Sequence, residues 1–166
     1  MCDCDNTFVT SGKGLYHAFG PVTSDDIVRT AAAILQEDLA RGDGLSRPED
    51  AARFLQMALA NEKNEHFAVL FLNNKHQVLS FERLFFGTVD GTTVHPRIVV
   101  QKALEWNAAS VILAHNHPSG HSEPSQADHD VTQRLVKALG LIDVRVLDHL
   151  VVSQSGWESL SRRGWV

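Results

Sequence analysis

The residues best suited to chemistry lie in one stretch of the chain, residues 114–128. His115 and His117 follow an apolar run, and in an extended strand the side chains at i and i+2 share a face. The two imidazoles can therefore point at one metal ion while Asn116 points the other way. Asp128 adds a carboxylate, and two histidines with one carboxylate suit zinc and leave a fourth position for water. The stretch predicts a zinc site of the catalytic type.

The residues between the histidines and Asp128 predict a loop followed by a helix. Pro118 cannot donate to a strand ladder and Gly120 permits a turn, so the chain should leave the sheet there. Ser125 is a good N-cap, and Asp128 three positions later resembles the acidic member of a capping box. Ser125 and Asp128 should therefore both lie on the first turn of a helix, facing back toward the histidines.

The full run resembles a known signature. It matches, position for position, the pattern H-x-H-P-S-G-x-x-x-P-S-x-x-D of the JAMM (MPN+) metalloproteases. The flanking sequence resembles the bacterial RadC branch of that family at residues 87–97, 107–109 and 148–152. The resemblance extends over about residues 65–152. It implies a cytidine-deaminase-like JAMM/MPN architecture, Zn²⁺ held by His115, His117 and Asp128, and a metallopeptidase or isopeptidase that hydrolyses an amide bond through a metal-activated water.

Such a reaction also needs a general base, because an amine leaves poorly unless a residue passes it the proton of the attacking water. The JAMM pattern places a Glu just ahead of an apolar strand, and Glu65 matches that position. Glu62 is the competing candidate, and either residue could be only a solvated carboxylate. The resemblance further implies that Ser125 donates a hydrogen bond to the oxyanion. The alternative is that the Ser125 hydroxyl only caps the helix.

Other polar residues near the signature have less defined roles. Asp148 and His149 are neighbours on a predicted late strand and should point to opposite faces. Either could orient a metal-bound histidine, since such histidines commonly need a hydrogen-bonded partner, or could be a structural polar group. His121 and His129 flank the ligand set, and we expect both to be exposed to solvent.

Hydrophobic periodicity predicts alternating helices and strands. Helices are predicted over 24–41, 46–60, from Pro96 and from Ser125 to a C-cap at Gly140, and strands over 65–72, 77–86, 110–115, 144–147 and 150–152. Residues 1–22 show no clear period and are predicted to be a loosely ordered lead-in. The order of elements predicts an α/β or α+β sandwich with a mixed central sheet flanked by helices. We divide the chain into an N-terminal lead-in and helix, 1–44, and a RadC-like JAMM/MPN+ domain, 45–166.

Composition limits the classes of partner. With 166 residues and a net charge of −5, the chain has the length of one domain but lacks the basic balance of a general DNA-binding protein. Its two cysteines, Cys2 and Cys4, predict reduced thiols rather than a disulfide framework. The N-terminus lacks the features of a signal peptide, and no apolar run reaches the roughly 18 residues that span a membrane. We therefore expect a cytoplasmic protein with no membrane association.

Two other functions remain open at this point. The first is a DNA-repair or recombination accessory protein with a structural or idle zinc, a role associated with the RadC family. Residues 1–60 show no helix-hairpin-helix signature, which longer RadC proteins carry, and the acidic charge does not support direct DNA association. The second is a metal-dependent nuclease, suggested by the letters His-Asn-His but disfavoured by the acidic charge. The identity of a peptide or protein substrate and the oligomeric state are not encoded in any motif.

Overall fold

The computed structural model of the protein describes residues 8–12, 15–41, 45, 48–88 and 93–166. Cys2, Cys4 and the Ser46–Arg47 part of the predicted second helix lie outside these residues. The strands of the described part are β1 (Phe8–Gly12), β2 (Leu15–Ala18), β3 (His66–Leu72), β4 (Val78–Phe86), β5 (Ser110–Asn116), β6 (Arg145–Ser153) and β7 (Gly156–Ser159). The helices are α1 (Ser24–Arg41), α2 (Pro48–Leu59), α3 (Pro96–Glu105) and α4 (Gln126–Gly140).

Five strands form the central sheet in the order β4-β3-β5-β6-β7. β3 is antiparallel to both β4 and β5, β5 is parallel to β6, and β7 is antiparallel to β6. The parallel pair is connected through α4, as a parallel connection requires. The sheet is mixed, as predicted, and its central strands β3 and β5 are almost entirely buried. This agrees with their near-continuous apolar sequence.

Helices cover both faces of the sheet. On one face α2 packs Phe54 and Leu55 against the residues of β3, β5 and β6 that share Leu70's side of the sheet. On the other face α3 and α4 contribute Val99 and Leu135 to a second apolar cluster. The two clusters sandwich the sheet, so the prediction of an α+β sandwich is confirmed. None of the described helices is long and apolar enough to cross a membrane.

Three local predictions need correction. The lead-in contains the antiparallel hairpin β1–β2. All four residues of β2 are exposed, so this strand shows no alternation of buried and exposed residues. The two predicted last strands are one strand, β6, because the polar pair within it is buried and paired to the neighbouring strand; the short strand β7 was missed. Gly140 is the last residue of α4, and Leu141 is the C-cap.

Candidate metal centre

The end of β5 and the start of α4 bring three ligand-type side chains together. The Nε2 atoms of His115 and His117 are 3.0 Å apart. His115 Nε2 lies 3.1 Å from Asp128 Oδ1, and His117 Nε2 lies 3.7 Å from Asp128 Oδ2. The i, i+2 spacing of the histidines thus directs both rings to one point, and the first turn of α4 supplies the carboxylate.

These distances fit a zinc ion. Tetrahedral zinc with ligands at about 2.0–2.1 Å separates its ligand atoms by about 3.3 Å, and the separations of 3.0, 3.1 and 3.7 Å lie around that value. Within the described ranges this is the one group of three or more His, Cys, Asp or Glu residues close enough to hold a metal ion. A set of two imidazoles and one carboxylate leaves room for a fourth ligand, as catalytic zinc sites do.

Electrostatics favour the ligand forms of His117 and Asp128. His117 Nδ1 donates to the carbonyl oxygen of His121 at 3.0 Å, so its Nε2 is the nitrogen that faces Asp128. Burial and the neighbouring His115 lower the pKa of His117, which favours the neutral ring. Burial acts to raise the pKa of Asp128. The hydrogen bond and the charge of His115, together with the hydrogen bonds from Ser125, outweigh burial and hold that pKa well below its usual range. Asp128 is therefore ionised, as a metal ligand must be.

Ser125 forms the predicted capping box with Asp128. Its Oγ accepts from the Asp128 backbone N–H at 3.2 Å, and Asp128 Oδ2 accepts from the Ser125 backbone N–H at 2.6 Å. The Ser125 hydroxyl also donates to Oδ2 at 2.7 Å. The cap therefore holds the carboxylate of Asp128 in place, and the one hydroxyl proton of Ser125 points at it.

Glu65 lies near the candidate ligands. It directly precedes β3, whose residue Phe67 is paired with His115 of β5 in antiparallel register. The negative charge of Glu65 is near enough to raise the pKa of His117, against the stronger effect of burial. Glu62 instead forms an ion pair with Arg83, 2.6 Å away. The structure thus brings Glu65 toward the ligand set and directs Glu62 to another partner.

Asn116, between the two histidines, holds the segment that carries Glu65. Its Oδ1 accepts from the His66 backbone N–H at 2.8 Å, and its Nδ2 donates to the carbonyls of Asn64 and Glu62 at 3.0 and 3.3 Å. The side chain is fully buried. Sequence reasoning predicted only that Asn116 points away from the metal. A polar amide at the end of a buried strand was the available signal that it has a buried partner.

His149 contacts the candidate ligand His115 on the ring nitrogen that faces away from Asp128. Its Nε2 lies 2.8 Å from His115 Nδ1, and its Nδ1 lies 2.6 Å from the hydroxyl of Thr132. Complete burial lowers the pKa of His149 well below its usual value. Thr132, on the inner face of α4, had no distinguishing sequence signal, because one Thr among apolar helix residues is normally a packing residue.

Asp148 takes no part in orienting the histidines. It accepts hydrogen bonds from the backbone N–H groups of His149 and Ser161 and from the hydroxyl of Ser159. These contacts fix the turn after β7. These contacts favour the second reading of Asp148, a structural polar group, and strand alternation turns its side chain to the face opposite His149.

The two flanking histidines differ from each other. His121 is exposed, as expected. His129 is half-buried, with its ring 4.9 Å from the ring of Trp165, so its expected exposure is corrected. Neither side chain belongs to the group that can hold a metal ion.

Comparison with known proteins agrees with this geometry. The family described as RadC-like JAB domain matches residues 45–165. The chain is similar to a UPF0758 protein of Alcanivorax borkumensis, 57% identical over 132 residues that cover 80% of this chain and 59% of that protein. It is also similar to a UPF0758 protein of Vibrio cholerae, 51% identical over 140 residues that cover 84% of this chain and 88% of that protein.

A third similar protein, from Tolumonas auensis, is 48% identical over 153 residues, which cover 90% of this chain and 68% of that protein. The chain thus spans between about three fifths and nine tenths of the length of these relatives. JAB domains belong to a superfamily of hydrolases. With the family match covering most of its length, the chain belongs to the RadC-like JAB domain family.

Proposed function

We propose that the protein is a zinc-dependent metallopeptidase or isopeptidase that hydrolyses an amide bond in a peptide or protein substrate. The observation that supports this most is the convergence of three ligand atoms, with the charge of Glu65 close enough to act on one of them, His117. When bound, zinc lowers the pKa of a coordinated water to near 7 and polarises the carbonyl under attack. Proton transfer and stabilisation of the oxyanion are carried out by side chains around the metal site.

Glu65 is the proposed general base. Its charge acts on His117, yet Glu65 is not a member of the group that can hold the metal. It accepts the proton of the attacking water and delivers it to the leaving nitrogen. General acid–base catalysis of this kind contributes about 10²–10⁴-fold.

Ser125 is the proposed oxyanion donor. Its hydroxyl proton now points at Asp128 Oδ2, and the Ser125 backbone N–H donates to the same oxygen. The carboxylate therefore keeps a hydrogen bond when the hydroxyl turns toward a tetrahedral oxyanion. A donor in that position typically contributes about 10²–10³-fold.

The first test concerns the metal and the base together. We expect the purified protein to hold about one zinc per chain and His115→Ala and Asp128→Ala to lose it. In an unbiased peptide-library digestion, the zinc-loaded protein should cut and Glu65→Gln should not, while its zinc content stays normal. Glu62→Gln is the matched control, because it changes a carboxylate three residues away that is paired with Arg83.

Two outcomes would contradict the proposal. Normal zinc content in both ligand variants would reject the ligand set, and equal cleavage by Glu65→Gln and wild type would reject the base. Salt-dependent DNA binding by the wild-type chain, with no peptide cleaved, would instead favour an accessory role in DNA repair.

A further inference from the structure

Three hydrogen bonds connect His115 to the backbone of Asp128 through His149 and Thr132, which are not members of the candidate ligand group. His115 Nδ1 lies 2.8 Å from His149 Nε2, and His149 Nδ1 lies 2.6 Å from Thr132 Oγ1. The Thr132 hydroxyl donates to the carbonyl oxygen of Asp128, one helical turn earlier, at 2.5 Å. The series starts on one candidate ligand and ends on the residue that supplies another.

The last bond fixes the direction of the others. A carbonyl oxygen only accepts, so the single proton of Thr132 is used on Asp128. Toward His149 the Thr132 oxygen can then only accept, which places the proton of His149 on Nδ1. His149 is completely buried and its ring nitrogens contact only a hydroxyl and another imidazole, so the neutral ring, with Nε2 as acceptor, is the form that fits.

We propose that His149 and Thr132 are positioning residues that fix a proton on Nδ1 of His115 and so keep its Nε2 as the metal-facing nitrogen. This inference rests on the proposed function, because a proton fixed on Nδ1 of His115 is useful only if Nε2 binds a metal ion. His117 reaches the same state by a shorter route, donating from Nδ1 directly to the carbonyl of His121. Both candidate ligands thus have Nδ1 engaged and Nε2 turned to Asp128.

The arrangement also joins the three elements that build the centre. His115 lies on β5, His149 on the parallel neighbour β6, and Thr132 on α4, which connects those two strands. The ring of Phe67, on β3, lies parallel to that of His115 and edge-on to that of His149. Packing therefore limits how the rings can turn, and the hydrogen bonds decide which nitrogen carries the proton.

Thr132→Val tests the proposal, because Val keeps the shape of Thr and removes the hydroxyl. His149 Nδ1–H then has no acceptor, and the ring can place its proton on Nε2, facing His115. We expect zinc affinity, measured by competition with a chelator, to fall about 10–100-fold, the usual effect of losing a partner of a metal-bound histidine. Thr132→Ser restores the hydroxyl and should restore the affinity, which a purely packing role for Thr132 would not predict.

A second measurement does not depend on metal binding. ¹⁵N NMR of the metal-free wild type should show His149 protonated on Nδ1 alone, and Thr132→Val should shift that proton toward Nε2. The opposite tautomer in wild type, or an unchanged tautomer and affinity in Thr132→Val, would overturn the proposal. If the wild type bound no zinc, the proposed function would fail. The NMR comparison of the wild type with Thr132→Val would still show whether Thr132 sets the tautomer of His149.

Discussion

Ser125 has one hydroxyl proton and two proposed uses for it. In the structure the proton is directed to the carboxylate of Asp128, and the capping box closes the N-terminus of α4. The proposed mechanism requires the same proton to reach the oxyanion. The two roles have different magnitudes, so a single substitution can separate them.

Ser125→Ala removes both roles at once. Loss of the cap should cost about 0.5–2 kcal/mol of unfolding free energy. Loss of an oxyanion donor should lower kcat by about 10²–10³-fold with the zinc content unchanged. Chemical denaturation and turnover of a peptide identified by library digestion measure the two effects.

The chain supplies a matched control at another helix. Thr23 and Asp26 make the same three hydrogen bonds at the start of α1, and all three stay between these two residues. Thr23→Ala should lower stability and leave kcat unchanged. If Ser125→Ala changed kcat no more than Thr23→Ala did, Ser125 would be a cap only.

The part of the site that could be read from sequence is the part fixed by local geometry. His115 and His117 converge because strand side chains alternate, and Ser125 and Asp128 meet because they are three residues apart on one helical turn. His149 and Thr132 meet only when β6 is placed beside β5 under α4. No local pattern places two polar residues from different elements in contact, so Thr132 was not predicted.

At the scale of elements, Asn116 connects the strand of the ligands to the strand of the proposed base. Its three hydrogen bonds all go to backbone atoms of residues 62–66, immediately around Glu65. These bonds hold the segment ahead of β3, which carries Glu65, against the end of β5. The position of the proposed base therefore depends on a residue that binds no metal in the proposed mechanism.

Asn116→Ala should uncouple the base from the metal. We expect zinc content to stay near wild type, because the ligands keep their own contacts, and kcat to fall toward that of Glu65→Gln. Stability should drop by about 1–3 kcal/mol, since buried backbone groups lose their partner. Metal analysis, turnover and denaturation of the same preparation give the three values.

Asn73 provides the comparison for Asn116. It follows the far end of β3 and its side chain also makes three hydrogen bonds, to Lys75 and Gln77. Asn73→Ala should lower stability without affecting kcat. An equal loss of kcat in both variants would mean that general destabilisation, and not the position of Glu65, controls the rate.

The fold, like the site, could be predicted only where a local sequence pattern was strong. Strands and helices with one strong apolar pattern, such as β3 and α4, were predicted within a few residues. β6 was predicted as two strands because Asp148 and His149 interrupt its apolar run, although tertiary hydrogen bonds satisfy both residues inside the sheet. The hairpin β1–β2 was missed because exposed residues carry no burial pattern. Errors therefore fall where tertiary contacts, or their absence, outweigh the local sequence signal.

For the whole molecule, a metal held between β5 and α4 should stabilise the folded state. The ligands come from two elements joined by a loop, so the unfolded chain has no preformed site and binding energy adds to folding energy. Zinc at a hundredfold excess over its Kd adds about 2.7 kcal/mol. For a chain of this size that corresponds to an increase in Tm of roughly 5–10 °C.

Thermal unfolding with zinc and with a chelator measures this effect. His117→Ala should lose most of the zinc-dependent increase in Tm, because it removes one ligand at the exposed end of the site. Glu65→Gln should keep the increase, because the base holds no metal in the proposed mechanism. If zinc raised the Tm of His117→Ala as much as that of the wild type, the stabilising ion would bind elsewhere. If Glu65→Gln lost the increase, Glu65 would be a ligand rather than the base.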